Sequence, residues 1–245
     1  RRKAQLRQMA SMSTKLIDFN KSQYQTDLRL SINQEKYDLT PNVYLNGDKI
    51  VLEYKIGNEK KYVLKNIADF IERIQNQENY KYGKALEFVH SEKSFTDDAL
   101  KQIDLMKKAL IIRRYDMEEY SYYYEPIKRS ITIDSRLFDE FYDANKEIFS
   151  LGEMECNLRL YIQKEDEYYI VRVTVVDPIY IGDKHGYCYG MNNGEFYMNR
   201  MTFDEEGNVC RFLSSILDNE GKLIILEEQY QDFYKYVLLP ILSYF

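Results

Sequence analysis

Asp38 and the triplet Glu53-Tyr54-Lys55 are the residues of this chain best suited to bond chemistry. Restriction-type nucleases place one acid on a strand and an acid-x-Lys on the next. The two carboxylates hold a divalent metal, and the lysine stabilises charge at the phosphate or activates water. The same triplet is also a common cross-strand charge pattern on the wet face of a hairpin, and the segment reads first in that way. A metal-dependent nuclease-like domain using Asp38, Glu53 and Lys55 stands as the alternative function.

Asp177, Asp183 and His185 fall close together in a Gly-punctuated stretch, with Cys188 three residues further on. Two acids and an imidazole could gather a metal, and a thiol near an imidazole could form a nucleophile pair. Neither spacing fixes a geometry, so a polar turn is the preferred reading. Arg113-Arg114-Tyr115, Tyr122-Tyr123-Tyr124 and Lys128-Arg129 combine cations that neutralise phosphates with rings that stack on bases. Arg1, Arg2, Lys3 and Arg7 precede any acid. These eight cations are the candidates for nucleic-acid contact. Glu118, Glu119 and Glu125 dilute the central segment, and Tyr, at 24 residues, is abundant throughout, so packing competes with base stacking.

Several chemistries lack their motif. There is no G-x-x-x-x-G-K-S/T loop for phosphates, no G-x-G-x-x-G after a strand, no H-E-x-x-H and no G-x-S-x-G. With 2 histidines, most imidazole-based schemes have little to work with. No catalytic residue, metal or cofactor is therefore expected in this chain.

The elements that would position these residues follow from periodicity. Residues 1–19 carry Leu6, Met9, Met12 and Leu16 at helical spacing. Strands are predicted at Tyr37–Leu45 and Lys49–Gly57, joined by Asn46-Gly47-Asp48, because glycine takes the positive φ a tight hairpin needs. A short strand at Lys61–Leu64 precedes a helix capped by Asn66, with Ile67, Phe70, Ile71 and Ile74 inward. Leu86 and Phe88 suggest a strand. Thr96 then caps a helix whose Phe95 can staple onto Leu100 and whose stripe continues through Ile103, Met106 and Leu110. A strand at Ser130–Ile133 precedes a helix with Leu137, Phe138 and Phe141.

The second half repeats this grammar. Leu158, Leu160 and Ile162 alternate, and the turn Lys164–Glu167 leads to Tyr169, Val171, Val173 and Val175. A strand at Glu195–Met201 precedes a helix burying Val209, Phe212, Leu213, Ile216 and Leu217. Leu223–Leu226 is a strand, and a last helix buries Phe233 and Val237. The expected fold is α+β, with two similar lobes of strand-strand-strand-helix-strand-helix, antiparallel sheets and helices packed on them. The boundaries are 1–36 for an N-terminal helix and connector, 37–112 for the first lobe, 113–150 for a connecting strand and helix, and 151–245 for the second lobe.

Composition agrees with a folded, water-soluble chain. The 245 residues are 44% hydrophobic and 30% charged with net charge −6, and hold 10 Gly and 4 Pro, so linker-like and collagen-like classes are excluded. The longest apolar run, Val237–Leu242, is far shorter than a membrane span. Three cysteines without a C-x-x-C pair fit reduced thiols in the cytoplasm. The start at Arg1-Arg2-Lys3 without an initiator Met is what a segment of a longer polypeptide would show.

One longer pattern is more specific than any of these motifs. It runs Tyr54-Lys-Ile-Gly57, Lys61-Tyr-Val-Leu-Lys-Asn-Ile-Ala-Asp-Phe-Ile71, Tyr80-Lys-Tyr-Gly83-Lys-Ala-Leu-Glu-Phe88 and Phe95, with Phe233-Tyr-Lys-Tyr-Val-Leu-Leu-Pro240 near the end. It resembles the bacterial Snf-type helicase-associated domain of the Swi/Snf ATPase family, well over residues 37–110 and partially over 129–245. Such domains lie upstream of a two-lobed motor that translocates on double-stranded DNA using ATP and magnesium, often after a zinc-binding SWIM module. The resemblance implies a non-catalytic accessory domain whose partners are the motor domains of the same polypeptide, with double-stranded DNA as a further partner and no membrane. ATP and magnesium would belong to the motor. A plain protein-interaction module is the remaining reading.

Overall fold

Among the described residues, the first strands form a hairpin. The structure, a computed structural model, describes residues 14–15, 17, 35–119, 129–155, 158–174, 178–203 and 206–245. Thr14, Lys15 and Ile17 are helical, and the rest of the expected 1–19 helix lies outside the described residues. Strands β1 (Leu39–Asn46) and β2 (Lys49–Ile56) turn through Gly47 at φ +65°. On β2, Ile50, Leu52, Tyr54 and Ile56 are all buried while Lys55 is exposed, the outcome period-2 alternation predicts. β3 (Tyr62–Val63) pairs with the end of β2, and Asn66 Oδ1 accepts from the Asp69 N–H at 3.3 Å to cap α1 (Ile67–Gln75). Ile67, Phe70, Ile71 and Ile74 are its buried stripe.

Where one strand is expected around Leu86, the chain forms a two-strand hairpin of β4 (Asn79–Tyr82) and β5 (Leu86–Val89). β4 left little trace in the sequence because only Tyr82 of its four residues is buried. Thr96 Oγ1 accepts from the Ala99 N–H at 3.2 Å and caps α2 (Asp97–Glu119). Phe95 just before it and Ile103 and Met106 within it are buried.

β6 (Ser130–Ile133) pairs with β2, and a short 3₁₀ turn leads into α3 (Phe138–Asn145), which buries Phe138, Phe141 and Tyr142. β7 (Gly152–Glu153), β8 (Arg159–Glu165), β9 (Tyr168–Thr174), β10 (Tyr180–Ile181), β11 (His185–Asn192) and β12 (Glu195–Thr202) follow. α4 (Asn208–Asp218), β13 (Lys222–Leu226) and α5 (Tyr230–Phe233) close the order. One sheet runs β10-β11-β12-β7, with β7 parallel to β12, and another runs β13-β9-β8, antiparallel throughout. The protein is α+β.

Three expectations of the second half are corrected. The stretch read as a polar loop holds β11, an eight-residue strand in which Tyr187 and Tyr189 alternate with Gly186, Cys188 and Gly190. Its glycines make room for rings: a Cβ on Gly186 would lie 2.9 Å from Phe203, and one on Gly190 2.7 Å from the Tyr197 hydroxyl. On α4, Cys210 joins the buried stripe and Leu217 faces solvent. The last helix buries Leu238 and Ile241 instead of Val237, because a π turn over Tyr234–Leu238 rotates the face just before Pro240.

The chain divides into two compact units that do not follow sequence order. Of the described residues, those within 1–41, 53–107 and 124–130 belong to the first, and those within 42–52, 108–123 and 131–245 to the second. The first is cored by an aromatic cluster. Phe88 stacks on His90 at 4.4 Å between centroids, and Phe70 and Phe95 meet edge-to-face at 5.9 Å. The second holds Leu158, Val171, Met201, Phe212, Ile216, Leu238 and Ile241 in one cluster.

Candidate functional site

In the second unit the fold gathers a side-chain cluster that no sequence spacing announces. Asp139 sits in the first turn of α3, where an acid suits the helix dipole. The β10–β11 turn closes with the Gly182 N–H donating to the His185 carbonyl at 2.9 Å. That turn brings three donors to one carboxylate. Tyr187 Oη donates to Asp139 Oδ1 at 2.6 Å, His185 Nδ1 bonds the same oxygen, and the Lys184 N–H donates to Oδ2 at 3.3 Å. Tyr187 is fully buried, and Phe138 packs edge-to-face on its ring.

The electrostatics follow from this geometry. Burial pushes the Asp139 carboxyl up, but the hydrogen bonds from Tyr187 and His185 outweigh it and hold the group below the usual carboxylate range. Burial pushes the Tyr187 phenol up, and its bond to the Asp139 carboxylate pushes it further. Asp183, in the turn itself, is raised by burial and then by the charges of Asp139, Glu140 and Asp134. An aspartate fixing an imidazole is half of an acid–base device. The other half is not beside it: Cys188 lies on the opposite face of β11 from His185 and Tyr187, and is buried. The cluster orients His185 and ties α3 to β11.

Nearby on the same face, Arg200 of β12 lies opposite Tyr187. Its guanidinium lies 4.3 Å from the Tyr142 ring and pairs with Asp143 at 3.3 Å and Glu153 at 3.0 Å. It borders an open cleft of about 730 Å³ whose lining also includes Arg159, Thr202 and Tyr244.

The residues picked out by sequence are dispersed. The Gly57 N–H donates to the Asp38 carbonyl at 3.1 Å, which sets Asp38 opposite Gly57 and four residues along the ladder from Glu53. At about 3.3 Å per residue the two backbone positions are roughly 13 Å apart, too far for the carboxylates to share an ion. Each is also engaged. Asp38 Oδ1 accepts from Thr96 Oγ1 and from the Leu39 N–H, both at 3.0 Å, and Glu53 pairs with Arg129 at 3.4 Å. Lys55 is exposed on the same strand face as Glu53. No group of three or more His, Cys, Asp or Glu positioned for a metal occurs among the described residues.

Of the eight cations proposed for nucleic acid, Arg1, Arg2, Lys3, Arg7 and Lys128 lie outside the described residues, as do Tyr120–Tyr124 and Asp177. Arg113 and Arg114 lie towards the end of α2, half-buried and exposed, and Arg129 is the partner of Glu53. Cys188 and Cys210 are buried and form no disulfide. No helix among the described residues is long and apolar enough to cross a membrane.

Sequence reading missed the Asp139 cluster because its members come from α3 and β11, 46 residues apart. The one available signal was the Tyr187, Tyr189, Met191 alternation of a strand. No protein-family model, curated protein or solved structure matches the chain.

Proposed function

We propose that this chain is a non-catalytic accessory domain of a bacterial Snf-type DNA-dependent ATPase, working in the cytoplasm. It docks against the motor lobes of the same polypeptide, or the DNA they hold, and regulates or orients translocation. ATP and magnesium are handled by the motor.

The observation that supports this reading is the use to which the family-like pattern is put. Tyr54 and Phe95 are fully buried, Asn66 caps a helix, and Gly57 and Gly83 adopt φ of +120° and +57°. Tyr82 and Phe88 pack about His90. These residues all belong to the first unit, where they serve packing, a helix cap and turns. A pattern that specifies a scaffold is what an accessory domain would carry. Exposed Tyr236 and Leu239 near the end of the chain offer apolar area for docking.

The test begins with the reading frame on both sides of Arg1 and Phe245, where a downstream P-loop followed by D-E-x-H is expected. DNA-stimulated ATPase of that polypeptide is then compared with and without residues 37–245. A severalfold change in stimulation supports the role. An unchanged rate, with no binding of the separate chain to the motor, removes it.

A further inference from the structure

The outer face of the β8–β9–β13 sheet is built differently from the rest of this acidic protein. Strand register places Tyr161, Arg172 and Lys222 side by side in one row across the three strands. Arg159 and Thr174 form the row before it, and Gln163, Ile170 and Ile224 the row after. Residues opposite one another in a ladder share a face, and neighbouring strands lie about 4.8 Å apart. The alternate residues point the other way, where Val171 is buried in the core of the second unit. On the outer face Tyr161 is 51% and Ile224 57% exposed, so among the described residues nothing covers these two positions.

Charge and shape then select the occupant. The protein carries net charge −6, yet this face holds Arg159, Arg172 and Lys222 against a single acid, Glu165, which accepts a hydrogen bond from Gln163 at 2.7 Å. Arg136 and Arg200 each hold two carboxylates; among the described residues none pairs with Arg159, Arg172 or Lys222. Between the rows lies a hollow of about 270 Å³ lined by Tyr161, Gln163, Ile170, Arg172 and Thr174. That is slightly below the size of whole-ligand pockets, about 300–1,000 Å³, and suits one planar ring. An exposed phenol ring beside unpaired cations fits a polyanion whose bases are free to stack, and a duplex keeps its base faces covered.

We propose that this sheet face binds single-stranded nucleic acid, with Tyr161 as the stacking platform and Arg159, Arg172 and Lys222 as the phosphate contacts. Such binding belongs to the isolated chain and does not depend on attachment to a motor.

Fluorescence anisotropy of a labelled 20-nucleotide oligo-dT, titrated with the 245-residue chain between 25 and 200 mM salt, tests it. Three phosphate contacts give an expected log–log salt slope of about −2. Tyr161→Ala weakens binding about tenfold, while Tyr161→Phe stays within about twofold, since the stacking ring is kept. Arg172→Glu lowers affinity and flattens the slope, and Lys93→Glu, an exposed charge reversal elsewhere, leaves both near the wild-type values. Circular dichroism melts verify that each variant is folded. Absence of binding at 25 mM salt overturns the proposal. So does Tyr161→Ala binding as tightly as wild type, a 20-base-pair duplex binding as well as the single strand, or equal loss in Lys93→Glu. Self-association abolished by Ile224→Asp, with no oligonucleotide bound, also overturns it and assigns the face to contact between copies.

Discussion

Protonation of His90 is opposed by its surroundings. The ring is fully buried, and Nδ1 lies 3.2 Å from the Glu78 carbonyl, which can only accept, so the proton sits on Nδ1. Nε2 therefore accepts from the Tyr82 hydroxyl at 2.6 Å. Burial pushes the His90 pKa down to about 4, with the backbone bond to Glu78 opposing and the Arg73 charge assisting. Unfolded, the ring takes a proton near pH 6.5, so between 6.5 and 4 the unfolded chain binds more protons than the folded one. Stability is then full above pH 6.5 and falls as pH drops to 4, by at most about 3 kcal/mol from this group. Urea midpoints measured across that range should show a smaller acid loss in His90→Gln than in wild type. An identical loss would mean that carboxylates alone set the acid limit. Asp139 behaves oppositely in sign: its depressed pKa adds stability at neutral pH that is lost only as pH falls below the ordinary carboxylate value. Asp139→Ala strands the buried Tyr187 hydroxyl and should cost about 2–3 kcal/mol, whereas in Tyr187→Phe the donor leaves with its bond. A double-mutant cycle with Tyr187→Phe should return a coupling of about 1–2 kcal/mol, and additivity would show the bond carries no weight.

Hairpins and turns divide by whether their reason is local. The β1–β2 turn is open, and a Cβ on Gly47 would meet nothing within 4 Å, so Gly47→Ala should cost only the positive-φ penalty of about 1 kcal/mol. At Gly57 φ is +120° and a Cβ would lie 2.3 Å from the Lys60 carbonyl oxygen. Gly57→Ala should cost about 3 kcal/mol or more, read as a larger drop in melting temperature than Gly47→Ala gives. The same distinction explains what could be read in advance. The Asn46-Gly47-Asp48 turn, the Asn66 and Thr96 caps and the stripe of α1 are short-range signals, and all four are present in the structure. β11 was hidden because Gly186 and Gly190 answer to Phe203 and Tyr197, whose approach is tertiary. The face of the last helix shifted because its π turn has no marker beyond Pro240. For the same reason Asp139 reads as an ordinary first-turn acid: nothing within α3 records that His185 and Tyr187 arrive beside it.

The compact units are interleaved along the chain, so neither is a continuous segment. The tip of the β1–β2 hairpin, residues 42–52, belongs with 131–245, while its base belongs with 53–107. α2 likewise gives its first half to one unit and its second half to the other. A fragment of residues 151–245 would lack the hairpin tip, β6 and α3, including Ile50, Leu52 and Phe141, which are fully buried. It should give weak near-ultraviolet dichroism and no cooperative melt, whereas residues 35–245 should melt cooperatively. A sharp transition in the short fragment would show that the tip is dispensable. The interleaving also sets a schedule on the ribosome. Ile50 and Leu52 are polymerised long before Tyr189, whose hydroxyl donates to the Asp48 carbonyl in the finished protein. At 5–20 residues per second that delay is on the order of 10 s. Throughout it, the apolar residues of the nascent hairpin tip wait without the later segments that share their unit in the finished protein.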